Sequence, residues 1–476
     1  HRCEDACTRG TVDQAVAIDD VKKFIAELDL NSDTRYIPPV VQPSNRGTFP
    51  QKIAIIGGGP AGLSCAFYLA TRGYKPTVFE KNERPGGMLV YGIPSFKLEK
   101  NVVDAEIEVM RELGVDIKCG VEVGKDISLD ELRAQGYQAF YIAIGCQGSR
   151  KAGIPGEDAE DVTVAVDFLR EVNSGKIGAL PGRTIVVGGG NVAIDVARNA
   201  CRLGSEHVEM FCLESEAQMP ASEEERREAI EDGAHISCGW GPKEVNLDEA
   251  GRVCGITFKR CMRVFDDEGR FAPEYDENDL RRVDADRVVM SIGQSIVWGD
   301  LLAGSKVELG RGQGALADPQ TYQTAEPDIF VGGDVYTGPS FAIDAIAAGH
   351  EAAVSIHRFV QPGSTLTIGR NQRRYTALDR DDVVIEGYDN ASREVAHVDR
   401  EREKAAPFSE YVETFTEEQV RAETARCLGC GASIVDPNKC IGCGLCTTKC
   451  AFDAIHLDRD RPECSTMVKY EQKTYN

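Results

Sequence analysis

The residues best suited to chemistry in this 476-residue chain are cysteines near its C-terminal end. The chain has 17 cysteines, and seven of them lie between residues 427 and 464. Cys440, Cys443, Cys446 and Cys450 follow the spacing C-x2-C-x2-C-x3-C, with Ala451 where Pro is usual. Thiolates at this spacing wrap a [4Fe–4S] cluster, and the fourth often serves a second cluster. The tail is therefore predicted to bind iron and sulfur.

The number of clusters stays open at this point, and zinc is the rival metal. Two complete clusters need eight thiolates, and the tail offers seven, so one or two [4Fe–4S] clusters are predicted. The additional thiols belong to Cys427-x2-Cys430, just upstream, and to Cys464. A zinc ion on Cys427, Cys430, Cys440 and Cys443 is the alternative. It would leave Cys446 and Cys450 without a role.

The other cysteines give weaker signals. Cys3-x3-Cys7 could by itself be a chance pair. The remaining eight show no CxxC spacing, so core packing is their best interpretation and a disulfide-reductase mechanism is disfavoured. These eight are Cys65, Cys119, Cys146, Cys201, Cys212, Cys238, Cys254 and Cys261.

A glycine motif near the N-terminal end predicts a dinucleotide site. Gly57-x-Gly59-x-x-Gly62 follows an apolar strand, predicted over 53–56, and opens a helix, predicted over 60–72. The first glycine allows a tight turn, the second lets the backbone approach a pyrophosphate, and the third lets helix and strand pack closely. Glu80 ends the next strand, where it can accept hydrogen bonds from ribose hydroxyls. Pro60 and Ala61 complete this predicted cofactor-binding loop.

A distant segment supplies the other half of the same site. Residues 330–336 read FVGGDVY and precede a helix that is predicted to end near residue 349. Asp334, after Gly333, can bind ribityl hydroxyls, and the helix start can face the electron-rich side of a reduced flavin. Since about 270 residues separate the two halves, a second domain is predicted to be inserted between them.

A second glycine motif predicts a nicotinamide nucleotide site in the inserted domain. Gly188-x-Gly190-x-x-Ala193 again follows a strand and opens a helix, predicted over 192–203. Glu214 lies 21 residues after Ala193, close to the ~20 expected of a ribose-binding acid. Because a carboxylate repels a 2′-phosphate, NAD(H) is favoured over NADP(H). The alternative is that Glu214 faces solvent and other groups bind NADP. The predicted contacts also include Gly189, Asn191 and Val192.

Composition limits the function classes. The formal net charge is −23, which argues against a nucleic-acid or anionic-membrane partner. No signal peptide or membrane-spanning segment is recognised, so a cytoplasmic protein without membrane insertion is expected. The first residue is His1 rather than Met, which suggests that the sequence begins inside a longer chain. No acid/base or nucleophilic set is predicted to be catalytic.

The fold class that follows is α/β. Two doubly wound, Rossmann-like nucleotide-binding domains are predicted, the NAD domain inserted in the FAD domain, with small iron–sulfur domains at both ends. Short amphipathic and acidic helices are expected over 19–28 and 409–425, the latter with Thr416 as a possible cap. Six units are predicted: the end of an N-terminal iron–sulfur helical domain (1–46), the first segment of the FAD domain (47–152), the NAD(P) domain (153–297), the second segment of the FAD domain (298–360), a charged linker or partner-binding arm (361–425) and a ferredoxin-like [4Fe–4S] domain (426–476).

These motifs together resemble the glutamate synthase small subunit and its wider family of NAD(P)H-linked flavoproteins. The resemblance covers about residues 1–360. It is carried by CEDACTRG (3–10), IGGGPAG (56–62), GGMLVYGIPSFKLEK (86–100), GGGNVAID (188–195), MPAS (219–222) and SIGQ (291–294). It implies FAD on the first motif, with Gly87 and Leu89 near the flavin, and a nicotinamide nucleotide on the second. Gly145, Phe341 and Gly293 are included among the cofactor-binding residues.

The resemblance also implies an N-terminal iron–sulfur domain, in which Cys3 and Cys7 are the last two ligands and the others lie upstream of His1. Two features depart from the family. Members that use NADP carry an Arg pair where this chain has Leu213 and Glu214, which supports NAD(H). The tail from about residue 420 is extra, and it resembles ferredoxin-like extensions of flavoproteins in multi-subunit redox complexes of anaerobes, some of them electron-bifurcating.

The predicted function is electron transfer between NAD(H) and iron–sulfur clusters, through FAD, to or from other redox subunits or ferredoxin. One alternative is a glutamate synthase small subunit that supplies electrons to a large subunit. Another is a scaffold or electron-wire subunit whose nucleotide site is silent.

Overall fold

The computed structural model describes residues 2–40, 48–368, 370, 387–430, 440–449 and 455–457. Two helices come first, α1 (Arg2–Asp5) and α2 (Ile18–Leu30), with a 3-10 turn at Thr8–Thr11 between them. The helix predicted over 19–28 is therefore present and slightly longer. The connector of residues 41–47 lies outside the described portion of the chain.

A parallel five-stranded sheet forms the core of the first domain. Its N-terminal segment runs β1 (Lys52–Ile56), α3 (Pro60–Thr71), β2 (Thr77–Glu80), α4 (Met88–Tyr91), α5 (Lys100–Glu112), β3 (Asp116–Cys119), α6 (Leu129–Ala134) and β4 (Tyr137–Ile142). Apolar runs such as Ile53–Ile56 are buried on both faces, as strands covered by helices on each side require. Ser128 caps α6 with a full capping box.

The chain then leaves for a second domain through a two-residue strand, β5 (Gly148–Ser149). There it forms β6 (Val162–Val164), α7 (Ala165–Asn173), β7 (Arg183–Val187), α8 (Asn191–Arg202), β8 (His207–Cys212), α9 (Glu223–Glu231) and β9 (His235–Cys238). An antiparallel sheet follows, β10 (Trp240–Leu247), β11 (Val253–Phe265) and β12 (Phe271–Val283), and then β13 (Arg287–Met290). The second parallel sheet has the order β6-β13-β7-β8-β9.

The return to the first domain uses β14 (Gln294–Ser295), which pairs antiparallel with β5. Strand β15 (Ile329–Val331) then joins the first sheet, whose order is β15-β4-β1-β2-β3. One domain is thus inserted in the other, and both chain crossings meet in a short two-stranded ribbon. The doubly wound α/β prediction is confirmed.

Helices α10 (Asp334–Thr337) and α11 (Ala342–Val360) follow β15. The sequence prediction ended this helix near residue 349, which is wrong. Gly349 lies inside α11, where a Cβ would come within 2.3 Å of the Ala61 carbonyl oxygen on α3. The glycine therefore marks a close helix–helix contact and not a helix end.

The C-terminal portion contains α12 (Arg400–Ala405), α13 (Glu417–Ala425) and α14 (Leu445–Lys449). The helix predicted over 409–425 begins only at residue 417, because Thr416 caps it with a capping box. The preceding residues are not helical, and Val412 forms a bridge with Val398. Residues 387–426, here called the arm, contact the rest of the chain, and Tyr411 and Phe415 are buried. Within the described residues, no helix combines the length and apolarity needed to cross a bilayer.

Candidate functional site

The first glycine loop forms a tight cradle at the carboxyl end of β1. Gly57 has φ +107°, and a Cβ there would lie 2.4 Å from the Ala143 carbonyl oxygen. A Cβ at Gly62 would lie 1.9 Å from the Gly57 carbonyl oxygen, so only glycine lets α3 approach the loop. Helix α3 begins at Pro60, which leaves its first amides and positive dipole end facing the loop. This geometry fits the diphosphate of a dinucleotide.

Glu80 holds this loop in place. The side chain is buried, and its Oε2 accepts a hydrogen bond of 2.7 Å from the Gly58 amide. Its Oε1 accepts hydrogen bonds from the Asn82 amide and side chain, at 2.9 and 2.6 Å. These bonds occupy both acceptor positions of Oε1 and one of Oε2, so one position on Oε2 remains for the predicted contact to a ribose hydroxyl.

The two halves of the predicted flavin site meet in one cavity. Asp334 lines it from the start of α10, and burial raises the pKa of this carboxyl. The first turn of α11 lines it too, so the positive end of a 19-residue helix faces the cavity. The predicted residues that line the cavity are Gly57, Gly59, Pro60, Ala61, Glu80, Gly87, Leu89, Gly145, Val192, Gly333, Asp334 and Phe341.

Lys100, which the sequence analysis did not single out, holds the loop after Gly87 in place. Lys100 Nζ donates hydrogen bonds to the carbonyl oxygens of Leu89, at 2.9 Å, and Ile93, at 2.5 Å. Burial and the nearby Arg84 lower the pKa of Lys100 to about 8. Asp195 and Trp298 also line the cavity without having been predicted. Lys100 and Asp195 are the last residues of the family segments 86–100 and 188–195, and this position was the sequence signal that could have identified them.

The second glycine loop repeats the cradle in the inserted domain. Gly188 has φ +146°, and a Cβ there would lie 2.2 Å from the Ser291 carbonyl oxygen. Helix α8 begins at Asn191 with Gly190 as its N-cap. A Cβ added at Gly190 would meet no atom within 4 Å. The Asn191 side chain accepts a hydrogen bond from the Ser222 amide, and the Gly189 carbonyl accepts one from Ala221. A diphosphate therefore has free access to the start of α8.

Glu214 lies beside this loop, since its Oε2 would be 3.1 Å from a Cβ at Gly189. Arg226 of α9 also reaches this turn, where its Nη1 donates a hydrogen bond to the Glu216 carbonyl oxygen at 2.7 Å. The Arg226 Nε is buried without a hydrogen-bond partner within the described residues. Gly62 and Gly293 do not line the cavity. Gly293 lies at the ribbon between the domains, where its carbonyl accepts from Arg150.

The tail cysteines that the structure describes carry free, exposed thiols: Cys427, Cys430, Cys440, Cys443 and Cys446. Cys450 and Cys464 lie outside the described residues. Cys3 on α1 is exposed and Cys7 half-buried. Within the described portion of the chain, no three potential ligands come together as a metal site. The donor chemistry fits a cluster, since the five described thiols of the tail form no disulfide and are exposed.

Several other thiols are core groups, as the sequence suggested. Burial raises the pKa of Cys146 to about 12 and that of Cys201 to about 12. Burial also raises the pKa of Cys65 and Cys212. Such thiols stay protonated at neutral pH, which makes them poor nucleophiles.

Comparison with known proteins gives two family matches. The sequence model for pyridine nucleotide-disulphide oxidoreductases matches residues 51–349, and the 4Fe-4S binding domain matches residues 433–456. The chain is 35% identical to the NADP(+)-dependent formate dehydrogenase subunit beta of Moorella thermoacetica, and the match covers 90% of this chain but only 64% of that subunit.

Two relatives from Escherichia coli K12 each match three quarters of the chain. The glutamate synthase [NADPH] small chain is 33% identical, covering 75% of this chain and 78% of its own. The NAD-dependent dihydropyrimidine dehydrogenase subunit PreT is also 33% identical, covering 75% and 79%. The solved structure of the His57Gln mutant of FprA from Mycobacterium tuberculosis shares the fold, with 19% identity, a TM-score of 0.57 and coverage of 65% of this chain and 85% of that one. The resemblance to the glutamate synthase small subunit is thus confirmed, and the chain belongs to the pyridine nucleotide-disulphide oxidoreductase family and carries a 4Fe-4S binding domain at its C-terminal end.

Proposed function

We propose that this chain is the FAD- and iron–sulfur-containing subunit of a redox complex and that it moves electrons between NAD(H) and its clusters. The observation that carries the proposal is the shared cavity. Gly59 and Asp334 line it from the first domain, and Val192 and Asp195 line it from the start of α8 in the second. A nucleotide on the second cradle would therefore extend toward a flavin held by the first.

The residues of the chain bind and orient, and the redox chemistry belongs to the cofactors. The first glycine loop and Asp334 would hold FAD, which would supply the chemistry that couples two-electron hydride transfer to one-electron transfer. The α3 and α8 N-termini favour the two diphosphates. The positive end of α11 favours negative charge at the flavin end of the cavity. Hydride transfer needs no protein acid or base, which agrees with the lack of a predicted acid/base set.

The proposed nucleotide is NAD(H), because of Glu214. A carboxylate beside the second glycine loop accepts from the 2′-hydroxyl of NAD and repels the 2′-phosphate of NADP. Arg226 is the nearby group that could reverse this preference, although its Nη1 already donates to the Glu216 carbonyl oxygen. The relatives include proteins named for NADP, NADPH and NAD, so family membership leaves the choice to these side chains.

The test is an anaerobic titration of the flavin- and iron-loaded chain with NADH and, separately, NADPH. Flavin absorbance at about 450 nm should fall with NADH and stay unchanged with NADPH at the same concentration. The Glu214→Arg variant should be reduced by NADPH as well, whereas Glu216→Gln, on the same turn, should keep the preference for NADH. Flavin reduction by NADPH alone in the parent chain, abolished by Arg226→Gln, would assign the choice of nucleotide to Arg226 and overturn the role of Glu214.

The proposed partners are other redox subunits, with ferredoxin as a further candidate acceptor, and an electron-bifurcating complex is one form of this assembly. The second candidate function is a glutamate synthase small subunit, favoured by the 33% identity to that chain. The 4Fe-4S match in the tail favours the redox complex. Co-purification with a glutamine-using large subunit would decide for glutamate synthase. Failure of both nucleotides to reduce the flavin would decide for a silent electron wire.

A further inference from the structure

We propose that Phe96 of the first domain and Tyr411 of the arm grip Arg198 and Arg202 of the second domain, and that this clasp positions the nucleotide cradle over the flavin cavity. The role rests on the proposed function, since it serves hydride transfer between the two sites. These four residues are positioning residues and are not placed in contact with either cofactor.

The connection between the domains gives the clasp something to restrain. Two chain crossings join the domains, and they pair through β5 and β14, with two residues on each strand. Gly293, beside this ribbon, has φ +114°. A connection this thin leaves relative domain motion as the default, unless other contacts oppose it. The orientation of α8 toward the flavin cavity therefore depends on contacts outside the ribbon.

The first side of the clasp is Phe96, which belongs to the same segment, 86–100, as the loop that lines the flavin cavity. Phe96 is only 2% exposed, although it lies in a connecting segment between Leu89, which lines the cavity, and Lys100. The guanidinium carbon of Arg202 lies 4.2 Å from the Phe96 ring centroid, and that of Arg198 lies 4.8 Å from it. Both distances are in the range of cation–π contacts, which are strongest when water is excluded.

The second side comes from the arm, more than 300 residues later in the chain. Arg198 Nη2 donates a hydrogen bond of 2.7 Å to Tyr411 Oη, and Arg202 lies 5.2 Å from the Tyr411 ring centroid. Arg202 also donates to the Pro407 carbonyl oxygen at 2.8 Å and to Glu403 at 2.7 Å. Tyr411 is 6% exposed, so both arginines are enclosed between an aromatic ring of the first domain and one of the arm.

A third contact extends the clasp to the cavity. Lys97, next to Phe96, donates a hydrogen bond of 2.6 Å to Asp195 Oδ1 and also pairs with Glu225. Asp195 lines the flavin cavity from α8. Helix α8 is thus held near its middle by Lys97 and near its end by Phe96 and Tyr411, while its first residue, Asn191, borders the nucleotide cradle. A helix is stiff over 12 residues, so tilting its end displaces its start.

The test uses two variants of the full chain, each with a matched control. Tyr411→Phe removes only the hydroxyl that Arg198 contacts, and Phe96→Leu keeps apolar bulk but removes the ring. The controls are Tyr388→Phe, in the same arm but facing Arg9, and Phe265→Leu, on the exposed β11–β12 hairpin. The first readout is hydrogen exchange at the β5–β14 ribbon without any nucleotide, so it does not depend on the proposed function.

The expected result is faster exchange at Ser149 and Ser295 in both clasp variants, with unchanged exchange in β7 and no change in the controls. The second readout is flavin reduction in the loaded chain. Its limiting rate should fall by about tenfold or more, since an error of about 1 Å in position costs up to ~100-fold, while the half-saturating nucleotide concentration changes little. If Phe96→Leu fails to fold, Tyr411→Phe alone decides. The clasp would be overturned if the clasp variants showed the same exchange at the ribbon and the same limiting rate as the controls. A general rise in exchange that includes β7 would also overturn it, because these residues would then contribute to overall stability and not to domain orientation.

Discussion

Substituting the second glycine of the inserted-domain motif should separate nucleotide binding from folding. Gly190 lies at the N-cap of α8 with φ −91°, which alanine adopts without strain, and a Cβ there meets nothing within 4 Å. Alanine is a weaker N-cap than glycine by roughly 0.5–1 kcal/mol. It also lowers the entropy of the unfolded chain, which stabilises by about 0.4–1 kcal/mol. The two terms offset each other, so the free energy of unfolding of Gly190→Ala should stay within about 1 kcal/mol of the parent value.

Nucleotide affinity should respond differently, because the new methyl group would stand where the diphosphate approaches the free amides of α8. Losing one charge-assisted hydrogen bond costs about 1.5–3 kcal/mol, which corresponds to a rise in dissociation constant of roughly 10- to 150-fold. Flavin content should be unchanged, since the first cradle is on the other domain. The assay combines urea unfolding with titration of the flavin-loaded chain by whichever nucleotide the parent binds.

Gly188→Ala is the matched contrast. Its φ of +146° and the Ser291 carbonyl oxygen 2.2 Å from the new Cβ predict a stability loss of at least about 1–3 kcal/mol. An unchanged dissociation constant in a folded Gly190→Ala variant would refute the assignment of the second loop as the diphosphate site. Equal destabilisation by the two substitutions would show that Gly190 has no more room for a methyl group than Gly188.

Three further outcomes are expected. Burial raises the pKa of Asp195 to about 6, with Glu225 acting in the same direction and Lys97 and Arg198 against it. The folded chain therefore holds this proton more tightly than the unfolded chain, and the stability that the proton contributes below pH ~4 is lost as the pH rises through 6. Asp195→Asn should remove up to about 3 kcal/mol of this pH dependence in urea unfolding, and identical pH profiles would contradict it. Arg426→Gln should cost about 3–5 kcal/mol, because Glu423, 0% exposed, loses its partner at 2.6 Å. Adding Glu423→Gln should recover part of that loss, and a larger loss in the double variant would argue against an unpaired charge. Cys443→Ala should lower bound iron and sulfide, whereas Cys254→Ala should not, and zinc in place of iron in the parent chain would restore the rival metal.

The features that sequence alone predicted are those fixed by local geometry. Gly57 must be glycine because its φ is +107°, and Gly62 because the Gly57 carbonyl oxygen would lie 1.9 Å from a Cβ, so both constraints are written in the spacing of the motif. The same holds for the alternation of apolar strands and helices around each loop. Thr416 as a helix cap is equally local, since its hydroxyl and the Gln419 side chain satisfy backbone groups within one turn.

The features that sequence alone missed depend on contacts between distant residues. Tyr411 and Phe415 are spaced four apart, as on a helix face, but both are buried by other regions of the chain while the backbone between them is not helical. Tertiary packing therefore overrides the local pattern. Arg9 pairs locally with Asp13, but its distant contact could not be found, because its Nη1 donates to the carbonyl oxygen of Arg426, 417 residues away.

That contact gives the arm a place in the fold. Arg9 follows Cys7 closely, and Arg426 directly precedes Cys427, so the buried contact brings the N-terminal segment to the start of the cysteine tail. Arg2, next to Cys3, stacks on Phe341 at 4.8 Å and pairs with Asp344 at 3.0 Å, beside the flavin cavity. Cysteines of the first segment thus lie between the cavity wall and the start of the cysteine tail. An acidic segment that composition alone would describe as a linker is instead folded against the N-terminal segment and the second domain. These contacts fix its position, which the proposed electron transfer requires and a flexible tether would not give.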